Sequence, residues 1–218
     1  MRTYLFKAKC VWYLDKCLKH AAKINFKAGL LDNTKNNLNC SPAVKIKWQR
    51  FYNHVKMNSI NLNITFEQYA DISELTLADR ALCESAEQAL NTSYSPYSKF
   101  RVGTAIRLAS GETILGSNQE NLAYLSGLCA ERVALFSIGA TYPDAVIESM
   151  AITAQTDNFE ILKPVTSCGG CLQVMVEFER KQNAPIEVIF YCLNGEVIKV
   201  PSVKSLIPFA FVEDRLER

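Results

Sequence analysis

Cys129-Ala130-Glu131-Arg132 and Cys168-Gly169-Gly170-Cys171 are the two stretches on which the reading of this chain turns. Residues Cys129–Gly139 and Gly169–Lys181 each read as a helix, and the apolar run Glu148–Ala154 between them reads as a buried strand. Each cysteine stretch therefore opens a helix. A C-x-x-C pair at a helix start can converge on one metal ion, and the helix macrodipole favours the thiolate form there. Cys129 supplies a third sulfur from a second helix start. Three protein ligands leave one tetrahedral position open, which separates a catalytic zinc site from a structural one. Glu131 is not needed as a ligand, so its carboxylate is free to move a proton between metal-activated water and a substrate. Each piece alone has another reading. A lone C-x-x-C is often structural or redox-active, a lone Cys129 is a small hydrophobe, and Glu131-Arg132 is a solvated pair. Their order, with a strand between, favours the metal.

Working outward, Thr76 caps a helix with Asp79 in its first turn. Leu77, Ala81, Leu82, Ala86, Ala89 and Leu90 form its apolar stripe, and Asn91–Pro96 ends it. Phe100–Leu108 and Glu112–Asn118 read as a hairpin turning at Ser110-Gly111. Pro185–Leu193 and Glu196–Val200 form another across Asn194-Gly195. Strands alternating with helices predict a layered α/β domain.

Composition sets the frame. The 218 residues are 49% hydrophobic, enough for a sizeable core, and carry a net charge of +2. That balance hides an asymmetry. Residues 1–56 hold 12 Lys or Arg against Asp15 and Asp32, whereas residues 57–218 hold 12 against 20 Asp or Glu. A main domain of acidic balance does not suit nucleic acid, so none is expected as a partner. No run reaches the 18 or so apolar residues of a membrane-crossing helix, and the opening residues do not form a secretory signal. The expected compartment is the reducing cytoplasm, where clustered cysteines serve metals or catalysis. Both histidines, His20 and His54, fall in the basic segment. Metal ligands further on must then be thiolates or carboxylates. Cys83 and Cys192 read as packing residues, and Cys10, Cys17 and Cys40 lack metal spacing.

Three further motifs carry a resemblance. Tyr94-Ser95-Pro96-Tyr97-Ser98-Lys99-Phe100-Arg101-Val102-Gly103, Asn118-Gln119-Glu120-Asn121-Leu122-Ala123-Tyr124 and Leu206-Ile207-Pro208-Phe209-Ala210-Phe211 surround the cysteine stretches. Together they resemble cytidine deaminases of the small, homotetrameric, three-cysteine zinc branch. The resemblance runs from about Thr65 to Glu213. It implies a three-layer α-β-α fold with a mixed central sheet of about five strands. It also implies hydrolysis of cytidine and deoxycytidine to the uracil nucleosides and ammonia, in pyrimidine salvage.

By that resemblance Cys129, Cys168 and Cys171 hold Zn²⁺, and Glu131 is the catalytic proton shuttle. Phe100 flanks the base or sugar, Asn118 and Glu120 meet the ribose 3′-hydroxyl, and the Ala130 backbone meets the pyrimidine edge. Tyr124 lines a neighbouring pocket, Phe211 stacks on the base of an adjacent subunit, and Arg132 donates to the ligand sulfurs. Active sites shared within a homotetramer follow. Ser167 departs from the family's Pro before Cys168, Leu172 from the Arg after Cys171, and Leu122 from an Ala. The alternatives are a related aminopyrimidine deaminase, a nucleic-acid-editing deaminase and a non-catalytic zinc protein. Residues 1–56 fall outside the resemblance and are read as a basic extension, poorly packed or not native. Residues 57–218 form the deaminase domain, with Met57 as the expected initiator.

Overall fold

Residues 100–108 alternate their side chains between two helical layers, and that alternation sets the architecture. The computed structural model describes residues 59–216, which apart from Ser59 and Ile60 belong to one unit, Asn61–Arg218. The basic extension read at residues 1–56, with both histidines and Cys10, Cys17 and Cys40, lies outside the described residues.

Six strands form one sheet: β1 Glu67–Tyr69, β2 Phe100–Leu108, β3 Thr113–Ser117, β4 Ile147–Thr156, β5 Glu187–Tyr191 and β6 Val197–Val200. Their order is β1-β6-β5-β4-β2-β3. All pairs are antiparallel except β4 with β5. That parallel pair needs a crossover, which helix α3 (Gly169–Lys181) supplies. The other helices are α1 (Leu77–Ala89) and α2 (Ala130–Thr141). Ile106, Met150, Ile152, Val188 and Phe190 pack on Ala134, Leu135 and Ile138 of α2 and on Cys171, Met175 and Val176 of α3. Their neighbours Ala105, Ala151, Ile189 and Tyr191 face the other way, onto Leu82, Cys83 and Ala86 of α1. The layers are thus α-β-α, as the sequence predicts.

Two details correct the sequence reading. Where the sequence reading expects about five strands the sheet has six, because the three-residue β1 adds an edge strand against β6. Glu67 and Gln68 are exposed and give it no apolar alternation to read. On α1, Leu77 is 86% exposed and Ala81 is exposed too. The buried stripe is Asp79, Leu82, Cys83, Ala86 and Ala89. A carboxylate takes the first inward position that the apolar stripe assigned to Leu77. Cys83 and Cys192 are buried packing residues.

Glycine is required where helices press closest on the sheet. A Cβ at Gly103 would lie 2.1 Å from the Ala86 carbonyl oxygen, and one at Gly116 would lie 2.5 Å from that of Ala130. Gly116 thereby lets the start of α2, next to Cys129, rest on β3. The β2–β3 turn needs Gly111 for a different reason, its φ of 91°.

Asp79 seats the start of α1 on the sheet. Its amide donates to the Thr76 cap, its Oδ1 accepts from Arg107 at 3.1 Å and its Oδ2 from Lys199 at 2.8 Å. Arg107 also meets Glu148 at 3.2 Å, and Lys199 meets Glu187 at 3.1 Å. Burial pushes the Asp79 carboxyl up, but hydrogen bonds from Lys199, Arg107 and Thr76 outweigh it and hold the pKa below the ordinary value. A carboxylate depressed in this way contributes stability that is complete above its unfolded pKa and is lost as pH falls through the folded one. Asp79→Ala should therefore lower the unfolding free energy at pH 7 by about 3 kcal/mol. In chemical denaturation, the gap to wild type should close below about pH 4.

Candidate active site

The first turn of a helix has backbone N–H groups without intrahelical partners, so thiols placed there sit at a positive end. Cys129 is the N-cap of α2 and Cys168 the N-cap of α3, both in extended conformation, and Cys171 lies in the first turn of α3. Packing α2 and α3 on one face of the sheet brings these ends together. The three Sγ atoms all lie within 4.8 Å of one another, and Cys168 and Cys171 are 3.5 Å apart. Zinc–sulfur bonds of 2.3 Å in a tetrahedron separate sulfurs by about 3.8 Å, so the cluster has the size zinc requires. Three soft thiolates without a hard oxygen donor select zinc by chemistry as well. Among the described residues this is the one group of three or more such side chains placed to hold a metal.

The thiols do not ionise alike. A hydrogen bond from Cys171 pulls the Cys129 pKa down to about 6 against the effect of burial, and Arg132 adds to the pull. The Cys129 thiol in turn pushes Cys171 up, aided by burial and the Glu131 charge. One thiolate therefore forms readily and the next is opposed, a repulsion that a divalent cation relieves. Arg132 extends Nη2 to within 3.8 Å of Cys129 Sγ. Two buried polar atoms beside the centre, Arg132 Nε and Ser167 Oγ, have no protein partner.

Glu131 is the second residue of α2 and only 4% exposed. It adjoins Cys129 without being needed in the donor set. Ala130 is fully buried between them. A cation with one open position beside a sheltered carboxylate can activate water and shuttle its protons.

The residues that the sequence resemblance assigns to substrate divide in two. Asn118 is used to brace Phe100: its Oδ1 accepts from Val102 N at 2.8 Å and Ser93 Oγ at 2.6 Å, and its Nδ2 donates to Phe100 O at 2.8 Å. Glu120 accepts from the Tyr97 amide at 2.9 Å, the Ser98 amide at 3.3 Å and the Ser98 hydroxyl. Burial raises the Glu120 pKa, but these donors, the Ser98 hydroxyl foremost, hold it below the ordinary value. Lys99 takes a left-handed φ of 58°, rare for a side chain of its kind, as the chain turns into Phe100. Tyr124 and Phe211 form the second group. They are 92% and 72% exposed, and neither belongs to the core.

Sequence reasoning missed two partners. Phe159 packs on Phe100 with ring centroids 6.3 Å apart. Its loop is tied down by Arg101–Asp157 at 2.6 Å and by Asn158 Nδ2 donating to Ser98 O at 3.1 Å. Gln173 on α3 hydrogen-bonds the backbone of Phe211. No spacing rule marks either residue.

An α-β-α sheet protein with three clustered cysteines at two helix starts and a buried glutamate beside one of them has the residues of a class, the metal-dependent hydrolytic deaminases. Residues 20–158 match the family described as the cytidine and deoxycytidylate deaminase zinc-binding region. That span begins ahead of the described residues. It includes Cys129, Glu131 and Arg132 and stops short of Cys168 and Cys171, which the fold itself brings to the site. The chain is 36% identical over 135 residues, 61% of its length, to cytidine deaminase of Halalkalibacterium halodurans, covering 93% of that enzyme. It is 36% identical over 137 residues, 62% of its length, to cytidine deaminase of Sporosarcina psychrophila, covering 92% of it. The crystal structure of cytidine deaminase from Burkholderia pseudomallei superposes with a TM-score of 0.54 at 36% identity, spanning 63% of this chain and all of that one. This chain belongs to the cytidine and deoxycytidylate deaminase family, and its cofactor is zinc.

Cys168→Ala should remove metal and activity together. Elemental analysis should find about one zinc per chain in the wild type and almost none in the variant.

Proposed function

We propose that the chain hydrolyses cytidine and deoxycytidine to uridine and deoxyuridine, releasing ammonia. The observation that carries this reading is the buried Glu131 next to the three-sulfur cluster, within a chain that covers nearly the whole of two cytidine deaminases. Zinc, when bound, supplies a Lewis acid and a water acidified toward neutrality. The protein's own groups do the rest. Glu131 takes a proton from the attacking water and places it on N3 of the cytosine ring, which makes C4 electrophilic. It then moves a proton to the exocyclic nitrogen. The C4–N bond breaks, ammonia leaves and the carbonyl oxygen of uracil comes from water. The Ala130 backbone orients the ring edge. Arg132 offsets the negative charge of the thiolates at the Cys129 side.

Phe100, Asn118 and Glu120 line the sugar side in this reading. The hydrogen bonds that Asn118 and Glu120 make within the protein fix the 93–102 segment, so the ribose meets a preformed wall. The substrate is a free nucleoside, which fits pyrimidine salvage in the cytoplasm. No helix among the described residues is long and apolar enough to cross a membrane.

The assembly is a homotetramer in which Phe211 and Tyr124 reach neighbouring sites. Supporting this are side chains that no single chain covers, among them Leu125, Phe209 and Phe211.

Glu131→Gln should retain fold and zinc but lower cytidine turnover by about 10³-fold or more, followed as loss of cytidine absorbance. Near-normal turnover would assign the proton transfers to another group. On a calibrated sizing column the active wild type should elute as a tetramer, and a fully active monomer would remove the shared site.

A further inference from the structure

Helix α3 begins with two zinc ligands and packs through Met175 and Val176 against the sheet. Two more of its side chains reach away from the metal to one segment, the chain that follows β6. Glu179 is 2% exposed and spends its carboxylate on that segment and its surroundings. It accepts from the amides of Ile186 at 2.9 Å, Val203 at 2.8 Å and Lys204 at 3.3 Å, and from the Ser202 hydroxyl at 2.8 Å. The turn leaving β6 is therefore set from α3. Leu206, Ile207 and Ala210 then lie against the core shared by α2 and α3. At the far end Gln173 closes a two-bond clamp. Its Oε1 accepts from Phe211 N at 2.8 Å, and its Nε2 donates to Phe211 O at 2.9 Å.

This clamp holds a residue whose side chain has no place in the chain's own core. Phe211 is 72% exposed, yet both of its backbone hydrogen-bonding groups are engaged by one side chain. Fixing the backbone while presenting the ring reduces the ordering cost of any contact the ring makes. The clamp stands two residues after ligand Cys171, so the ring's position is referred to the helix that carries the metal.

We propose that Gln173 is a positioning residue. It holds the Phe211 backbone on the zinc-bearing helix so that the Phe211 ring is presented, preordered, to the base-binding site of an adjoining copy. The inference rests on the deaminase reading above and adds the residue through which one chain's metal helix sets its neighbour's substrate affinity. The amide does not touch substrate, and its effect passes through Phe211.

The test compares Gln173→Ala, Phe211→Ala and the double variant with the zinc-loaded wild type. Gln173→Ala should keep one zinc per chain and a kcat within about twofold of wild type, while KM for cytidine rises about tenfold. Phe211→Ala should raise KM at least as much. The double variant should be no worse than Phe211→Ala alone, because the amide has nothing left to position. A structural role unrelated to Phe211 would instead make the two effects multiply, and that result overturns the proposal. So does an unchanged KM in Gln173→Ala. Amide hydrogen exchange gives a readout independent of turnover. In Gln173→Ala the Phe211 amide should exchange at least about tenfold faster, with α3 unaffected. Unchanged exchange overturns the clamp whatever the kinetics show. Should the zinc-loaded wild type leave cytidine untouched, the functional reading falls, and the exchange experiment still decides whether Gln173 holds Phe211.

Discussion

Three sulfur atoms within 4.8 Å of one another repel as soon as more than one is ionised, and the rest of this structure is arranged to hold them there. Cys171, raised by Cys129, by burial and by the Glu131 charge, registers that opposition, while its hydrogen bond lets Cys129 ionise first. Helix geometry answers it. Cys129 and Cys168 are the N-cap residues of two helices, so each stands at the positive end of a helix dipole. The guanidinium of Arg132 adds a full charge from the first turn of α2. Such ends converge only if the helices share a sheet face at close range. Gly116 meets this requirement on β3, where any Cβ would strike the Ala130 carbonyl.

The two faces of the sheet have separate tasks. On one, α1 is anchored by the Asp79–Arg107–Lys199 network and contributes none of the proposed catalytic groups. On the other, α2 and α3 carry the three clustered cysteines and Glu131. Helix α3 has a wider role, joining the metal at its first turn to the C-terminal segment through Gln173 and Glu179. Across the sheet edge, Asn118, Glu120 and the Asp157–Phe159 loop support Phe100 from several directions. Phe100 is thus held by hydrogen bonds to the backbone as much as by ring packing.

Most elements were legible because their signals are local. Thr76 caps α1 as its residue type predicts, the Ser110-Gly111 turn forms, and the cysteine stretches open helices. Strand bounds moved by a few residues: Pro185–Leu193 contracts to Glu187–Tyr191, and Glu148–Ala154 extends to Ile147–Thr156. What failed was non-local. β1 exists because β6 offers it an edge, and its own three residues carry too little pattern to announce a strand. Leu77 and Ala81 follow helical spacing but turn outward. The inward place is held by Asp79, whose partners Arg107 and Lys199 are 28 and 120 residues away.

The sequence by itself determined the donor chemistry and the class of reaction. Thiolates at helix starts, a carboxylate two residues from Cys129 and the absence of histidine after residue 56 are matters of residue type and spacing. Tertiary structure decided the convergence, since Cys129 and Cys168 stand 39 positions apart and only sheet packing brings their sulfurs together. It also decided how the other polar side chains are used. Asn118 braces Phe100, Glu179 gathers three amides and a hydroxyl, and Gln173 grips the backbone of Phe211. Each of these is a hydrogen bond between groups remote in the chain. Such a bond depends on distance and direction in three dimensions, which no local pattern encodes.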